Sequence, residues 1–150
     1  MTRAFAVTRI ATVATVATIG AGAVIAGMVG CGWDDDCERW VIGDTPGLAL
    51  CVTRATTADE RRRGLVGRGL ADGEGLLLVF PVEGEVCITN EGVGLAIDVL
   101  WLDSRGTVTA IERALAAGAP GPWCHAPAAF VMEVRAGTAA AVAPGDRREE

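Results

Sequence analysis

Few side chains in this 150-residue sequence are suited to catalysis, and the missing types exclude several classes of enzyme. There is no Lys, so the chain has neither a phosphate-loop lysine nor a Schiff-base lysine. His125 is the only His, and Ser104, the only Ser, lies in a predicted turn. A Ser-His-Asp triad is therefore disfavoured, and a site with several His ligands is excluded within one chain. His125 could still act as a general base or join Cys124 at a metal, although a structural loop position is favoured.

The cysteines are the other reactive groups, and there are five of them: Cys31, Cys37, Cys51, Cys87 and Cys124. If Cys31 carries a lipid, four remain, and in an oxidising compartment four cysteines can form two disulfides with three connectivities. No Cys-x-x-Cys pair occurs, which disfavours a thioredoxin-like site and a zinc ribbon. We predict structural disulfides, with buried free thiols and a metal or catalytic role as the alternatives.

The N-terminus has the pattern of an export signal. Two arginines precede the uncharged, apolar residues 10–30, and Cys31 follows directly. The sequence Met-Val-Gly-Cys at this point resembles the end of a bacterial lipoprotein signal, in which the Cys becomes the lipidated first residue. We therefore predict a leader over residues 1–30 and lipidation at Cys31; an uncleaved membrane anchor and release after cleavage near Ala26 are the alternatives. In each case the following domain is exported, because positive charges stay in the cytoplasm.

Charge and length set the organisation of the exported part. The formal net charge of −6 argues against nucleic-acid binding, because phosphate contacts need clustered cations. Residues 31–46 are polar, acidic and rich in turn formers, and we predict a tether there; its acid run at 34–36 could bind calcium weakly, but a solvated spacer is favoured. Residues 47–147 are predicted to form a single β-rich domain, and the charged residues 148–150 a frayed tail.

The residue pattern predicts many short strands and one helix. Thr57 and Glu60 have the spacing of a capping box, and glycines end the predicted helix by residue 67. Strands are predicted at 39–42, 48–54, 75–80, 85–89, 95–102, 107–115 and 130–134. In the last of these, Glu133 falls on the polar side of a half-buried strand. We therefore predict a mainly β fold, a small antiparallel β sandwich or partly open barrel with one short helix near residues 57–67.

Several segments of the domain together carry a family resemblance. Residues 55–68, Ala-Thr-Thr-Ala-Asp-Glu-Arg-Arg-Arg-Gly-Leu-Val-Gly-Arg, are similar to the signature T-x-x-E-R-x-x-G-L-M-G-R of domain-of-unknown-function family 192. Residues 75–81, 96–103, 127–137 and 144–146 are similar to the family segments G-M-L-F-V-F-P, P-L-D-I-I-F-I-D, P-A-x-Y-V-L-E-L-x-A-G and x-G-D. The resemblance covers residues 48–147 and implies a mainly β fold, often with a secretion or lipoprotein signal, and no established activity.

One segment departs from the family pattern. Members usually carry F-W-M-K-N-T before the Asp strand, whereas this chain has Val-Cys-Ile-Thr-Asn at residues 86–90 and about two extra residues before Asp98. A functional cleft lined by this segment would be altered or inert in this chain, and Asn90 is the residue here that we include among the ligand-binding candidates.

From the order of the strands we predict that Cys87 pairs with Cys124 and that Cys37 pairs with Cys51.

Asp98 is the leading candidate site residue. Its strand alternates, so Asp98 shares a face with Leu100 and Leu102 and needs a partner if that face is buried. We choose Arg68, which matches the final Arg of the family signature, as that partner. A structural ion pair or a strand-start cap is favoured over an Arg-Asp pair at the mouth of a small pocket, and His125 completes the ligand-binding candidates.

The sequence favours a non-catalytic binding or accessory module of the cell envelope, held at the membrane by a lipid or an uncleaved anchor. Its partner would be a small ligand, a glycan or an envelope protein, and we expect no nucleic acid, metal or cofactor. The alternative is a small-molecule or glycan hydrolase that uses Asp98, Arg68 and His125. That alternative requires His125 to lie within reach of Asp98 or to share one pocket with it.

Overall fold

The computed structural model describes residues 37–44 and 47–149, which form six strands and one short helix. In chain order these are β1 (Glu38–Ile42), β2 (Leu48–Ala55), α1 (Ala58–Arg63), β3 (Glu74–Ile88), β4 (Ile97–Leu102), β5 (Val108–Leu115) and β6 (Trp123–Arg135). The predicted leader, Cys31 and the acid run at 34–36 lie outside the described residues. Within the described ranges, no helix has the length and apolar character needed to cross a membrane.

The six strands form one open mixed sheet in the order β1-β2-β3-β6-β4-β5. Four of the five neighbouring pairs are antiparallel, and β2 and β3 are parallel. The parallel pair arises because α1 lies in the crossover between β2 and β3, which returns the chain in the same direction. The predicted mainly β fold with one short helix is confirmed, and the parallel pair is the departure from a wholly antiparallel arrangement.

β3 and β6 are longer than the sequence pattern predicts. Segments 75–80 and 85–89, expected as two strands, are one strand of 15 residues, and β6 begins at Trp123 instead of Phe130. The two strands pair from Gly75 opposite Val134 to Ile88 opposite Trp123, with register shifts between Val79 and Val86. A bulge changes which residues face the core, so the apolar alternation breaks in the middle of a continuous strand.

Both faces of the sheet are covered by apolar side chains. On β4, Ile97, Val99 and Trp101 belong to one hydrophobic cluster, and Leu100 and Leu102 belong to a second. Since successive strand residues point to opposite faces, the two clusters lie on opposite sides of the sheet. The turn after α1 contributes Leu65 to the first cluster, and the segment after β6 contributes Ala139 and Val142 to the second.

Helix α1 begins with the predicted capping box. The Thr57 hydroxyl accepts a hydrogen bond from the Glu60 N–H at 3.2 Å, and Glu60 Oε2 accepts from the Thr57 N–H at 2.9 Å. Backbone hydrogen bonds from Thr57 and Thr56 lower the pKa of Glu60 to about 2. The helix ends at Arg63, earlier than predicted, because Gly64 takes a positive φ of 48° and its N–H bonds to the Glu60 carbonyl.

The C-terminal residues 145–149 link the two edge strands of the sheet. The Glu149 N–H donates to the Val41 carbonyl of β1 at 2.9 Å, and the Arg148 N–H donates to the Gly106 carbonyl beside β5 at 2.9 Å. These bonds satisfy backbone groups at two sheet edges that would otherwise be unpaired. Arg148 and Glu149, which belong to the segment predicted as a frayed tail, are thus bonded to the sheet edges.

Two disulfides staple the sheet in the predicted pairing. Cys37 is bonded to Cys51, which fastens β1 to β2, so part of the segment predicted as a tether belongs to the sheet. Cys87 is bonded to Cys124, which stands directly opposite it in the β3–β6 pair. Structural disulfides persist in oxidising compartments, and these two indicate an extracytoplasmic environment.

Candidate functional site

Asp98 is a buried structural acceptor and does not contact Arg68. Its Oδ1 accepts the Ala114 N–H at 2.8 Å, and its Oδ2 accepts the N–H groups of Gly137 and Ala139 at 2.9 and 3.1 Å. One carboxylate thus ties β4 to the end of β5 and to the turn after β6. The face that Asp98 shares with Leu100 and Leu102 is buried, so the carboxylate does need partners; these are backbone N–H groups, and the prediction that Arg68 is the partner is wrong.

Arg68 lies on the surface after α1. Its side chain is exposed and borders an open recess of about 420 Å³ together with Thr53 and Arg54 of β2. Within the part of the chain that the structure describes, Arg68 makes no ion pair. The resemblance to the family signature located this residue, but nothing in its surroundings joins it to the other predicted residues.

Asn90 is buried and holds two loops together. Its Nδ2 donates to the carbonyls of Leu95 at 3.0 Å and Ala116 at 2.8 Å, and its backbone N–H donates to the Ala119 carbonyl at 3.0 Å. These bonds fasten the loop after β3 to the loop after β5. The side-chain amide nitrogen is therefore engaged in the fold, whereas Oδ1 has no partner among the described residues, and Asn90 does not line the recess described below.

His125 lies on the opposite face of the sheet from Asp98. Its Nε2 is 2.9 Å from Glu112 Oε1, and its ring packs edge-on against Trp101 with 4.5 Å between centroids. Trp101 and Leu100 belong to clusters on opposite faces of the sheet. Asp98 shares the face of Leu100, because residues two apart in a strand point to the same side, so His125 and Asp98 are on different faces. The three residues of the hydrolase hypothesis, Asp98, Arg68 and His125, are therefore not assembled into one site.

A recess of about 190 Å³ lies beside the end of α1. It contains Glu133 of β6, the residue that the strand pattern places on the polar side. Its lining comes from α1 and the turn after it, from β3 and the following loop, and from β6: residues 61–66, Leu78, residues 87–89, Glu91, Val93 and Glu133. We call this recess the Glu133 pocket. A single water needs about 10–15 Å³ of such space, so the pocket has room for a small ligand.

The Glu133 carboxyl is the chemically distinctive group of this pocket. The residue is 4% exposed, and Oε2 has no hydrogen-bond partner among the described residues. Burial raises the pKa of Glu133 to about 7, because removal from water disfavours the charged form. The carboxyl group can therefore act as a hydrogen-bond donor or as an anion near neutral pH.

The cations at the rim are not equivalent. Arg61 donates to the Val79 carbonyl at 2.9 Å, and Arg62 is paired with Asp59. Arg63 makes no ion pair in the described ranges, so its guanidinium is the one available to donate hydrogen bonds to oxygen atoms of a ligand. Across residues 37–44 and 47–149, no group of three His, Cys, Asp or Glu side chains is arranged to hold a metal ion.

Strand alternation alone does not identify Glu133 as a buried residue. The pattern of β6 predicts a half-buried strand with Glu133 facing solvent, but the turn after α1 covers that face with Leu65. A signal was present in the family resemblance, since the segment V-L-E-L places a Glu between apolar residues at this position. A charged residue inside an apolar strand of a sheet buried on both faces marks a candidate site.

The family of the chain follows from its sequence profile. The profile of domain-of-unknown-function family 192, described as an uncharacterized ACR, matches residues 41–149. The chain belongs to this family. None of the curated proteins matches it.

Two solved structures share the fold of this family member. A protein of unknown function from Novosphingobium aromaticivorans DSM 12444 superposes with a TM-score of 0.71 at 23% identity, over 76% of this chain and 85% of that one. A candidate transcription regulator from Sinorhizobium meliloti 1021 superposes with a TM-score of 0.67 at 27% identity, over 75% of this chain and 94% of that one. The first likeness shows the fold alone.

Proposed function

We propose that this family 192 protein is an exported, membrane-anchored module of the cell envelope that binds a small ligand in the Glu133 pocket and performs no covalent chemistry. The observation that carries the proposal is the buried Glu133 carboxyl, whose Oε2 has no hydrogen-bond partner among the described residues. Burying such a group without a partner costs free energy. A ligand that donates a hydrogen bond to Oε2 offsets this cost and gains affinity from it.

The lining of the pocket favours a small, donor-rich ring as the ligand. Leu65, Leu78 and Val93 offer an apolar wall, and Glu133 offers an acceptor at the buried end. The volume of about 190 Å³ is below the roughly 300–1,000 Å³ of pockets for drug-sized molecules. A single amino sugar has an apolar ring face together with hydroxyl and ammonium donors, so envelope glycans are the class of ligand that we propose.

Export and anchoring rest on the N-terminal sequence and the disulfides. The leader pattern ends at Cys31, and two disulfides suit an oxidising compartment. We expect the membrane-extracted protein to have an intact mass that begins at Cys31 and includes a diacylglycerol. A mass that corresponds to the unlipidated full chain would contradict lipidation and leave the uncleaved leader as the anchor.

The non-catalytic role is supported by what the candidate polar residues do in the fold. Asp98 and Asn90 bond to backbone groups, and His125 pairs with Glu112 away from the Glu133 pocket. An acid, a base and a nucleophile do not converge within the described ranges. A net charge of −6 opposes binding to nucleic acid, so we do not propose a role in transcription for this chain.

Binding is tested by NMR titration of the full chain with glucosamine, glucose and glycine. We expect glucosamine to shift the backbone amides of Gly64 and Val93, and Glu133→Gln to weaken its binding at least about tenfold, because a charge-assisted hydrogen bond is lost. Glu85→Gln, which removes an exposed acid from β3, serves as the matched control. Equal affinity of wild type and Glu133→Gln, or no amide shift in the pocket with any of the three probes, would overturn the proposal.

A further inference from the structure

A second recess, of about 540 Å³, lies where the C-terminal segment meets both edges of the sheet. Three guanidinium groups and two aromatic rings contribute to its lining: Arg105, Arg147, Arg148, Trp40 and Phe130. We call it the arginine recess. No residue lines both this recess and the Glu133 pocket, so an inference about one does not depend on the other.

The arginine recess is basic in a chain whose net charge is negative. No acidic residue lines it, whereas the whole chain carries a formal charge of −6. Arg147 is exposed and makes no ion pair with any described residue, and Arg105, with a side chain 77% exposed, lies 3.3 Å from Asp103. Asp103 is buried and also accepts hydrogen bonds from the backbone N–H groups of Arg105 and Thr107, so it keeps two donors when the Arg105 guanidinium turns to a ligand.

Arg148 is held in a fixed position between an acid and an aromatic ring. Its Nη2 lies 2.9 Å from Glu38 Oε1, and its guanidinium carbon lies 4.1 Å from the centroid of Trp40. Trp40 is itself buried and packs edge-on against Phe130, with 6.0 Å between the ring centroids. Glu38 also pairs with Arg54 at 3.5 Å, so its charge is shared between two arginines. A guanidinium fixed in this way loses little conformational entropy when it binds an anion.

We propose that the arginine recess binds a phosphoryl group, carried either by an anionic lipid headgroup or by a soluble phosphate ester. The planar fork of each guanidinium matches two oxygens of an oxyanion, and Arg is the residue that makes such bidentate contacts best. A phosphoryl group offers three acceptor oxygens and up to two negative charges, whereas a carboxylate offers two oxygens and one charge. Three guanidiniums around one recess therefore favour phosphate over carboxylate.

The test titrates the full chain with glycerol 3-phosphate and, separately, with glucuronate as a carboxylate of similar size. We expect shifts at the backbone amides of Gly106 and Arg148 with the phosphate ester and binding at least about tenfold weaker for glucuronate. Arg147→Gln is expected to weaken phosphate binding about tenfold. Arg39→Gln removes the same charge from the exposed side of β1, opposite Trp40, and is expected to change affinity less than twofold.

Co-sedimentation with vesicles distinguishes the two sources of phosphate. Arg147-dependent binding to vesicles that contain phosphatidic acid, a phosphate monoester, but not to phosphatidylcholine vesicles supports a lipid headgroup, and Arg147-dependent binding of glycerol 3-phosphate alone supports a soluble ester. Glu149→Gln removes an exposed acid that borders a neighbouring recess together with Arg147, so it should tighten binding. Equal affinity for glucuronate, no binding to either source, or unchanged affinity of both Arg147→Gln and Arg105→Gln would overturn the proposal.

Discussion

Gly64 lies directly beside the carboxyl group of Glu133: a Cβ atom built on Gly64 would stand 3.6 Å from Oε2 and 3.9 Å from Oε1. Gly64 is the C-cap of α1, and Glu133 lies near the end of β6. The turn that ends the helix therefore places bare backbone, without a side chain, against the buried acid. This contact sets both the access to the Glu133 pocket and the environment of its carboxyl.

Replacing Gly64 with Ala is expected to destabilise the protein by about 2 kcal/mol, because the φ of 48° and ψ of −128° are strained for a residue with a side chain. Urea denaturation measures the change in the free energy of unfolding. Gly94→Ala is the control, since Gly94 has no positive φ and a Cβ atom added to it would meet no other atom within 4 Å. A Gly64→Ala variant as stable as wild type would show that the C-cap geometry is not required.

The buried Glu133 is expected to make stability depend on pH between about 4.5 and 7. Its pKa is about 7 in the folded protein and 4.5 when unperturbed, so in this window the folded state binds a proton that the unfolded state does not. The stabilisation that comes from the Glu133 proton is therefore fully present below pH 4.5 and is lost as the pH rises through 7. The total loss is about 3 kcal/mol for a shift of this size.

The pH effect is isolated by comparing wild type with Glu133→Gln in urea at several pH values from 4.5 to 8. Glu60 has a lowered pKa and titrates below this window. For Asp103, burial raises the pKa, but hydrogen bonds from Thr107 and Arg105 outweigh it and hold the pKa below its usual value. Parallel curves for the two proteins would mean that Glu133 does not hold a proton in the folded state.

Truncation of Asp98 is expected to cost at least about 3 kcal/mol of stability. Asp98→Ala leaves three backbone N–H groups without their acceptor, and each buried donor left unpaired costs about 1–3 kcal/mol. Asp98→Asn keeps one acceptor oxygen, so its free energy of unfolding should lie between those of wild type and Asp98→Ala. Hydrogen exchange at Gly137 and Ala139 reports the loss directly, and Asp72→Asn, at a side chain 99% exposed, should change stability by less than about 0.5 kcal/mol.

The two disulfides are expected to stabilise the fold unequally. Cys87 and Cys124 are 37 residues apart in sequence, and Cys37 and Cys51 are 14 apart. The loss of chain entropy in the unfolded state therefore predicts about 4 kcal/mol for the first bridge and about 3 kcal/mol for the second. Denaturation of the two paired Cys→Ala variants measures both values, and a larger cost for the Cys37–Cys51 bridge would contradict the entropic explanation.

Short-range features could be predicted from the sequence because the residues that form them are neighbours. The Thr57 and Glu60 side chains reach each other's backbone N–H within one turn, so the capping box requires no other part of the protein. Strand alternation likewise placed Asp98 on the face of Leu100 and Leu102, both of which are buried. An even number of cysteines after Cys31 was enough to predict two bridges.

Long-range features depended on segments far apart in the chain. The bulges between Val79 and Val86 shift the register of a continuous strand, and this hides its length from any test of alternation. The partners of Asp98 are backbone N–H groups from β5 and the turn after β6, and backbone donors leave no signature in side-chain types. The predicted pairing with Arg68 failed for this reason.

The sequence by itself determined the mainly β class, the capped helix, the family and the number of disulfides, because propensity, spacing and composition can be read without the fold. Only the tertiary structure decided which polar residues could bind a ligand. Glu133 is a candidate because the turn after α1 covers its face of the sheet. Asp98 and Asn90 are hydrogen-bonded to backbone groups, and His125 is paired with Glu112, so these three residues have structural partners. Burial and hydrogen-bond partners are set by packing between segments that are far apart in sequence, so the local residue pattern does not predict them.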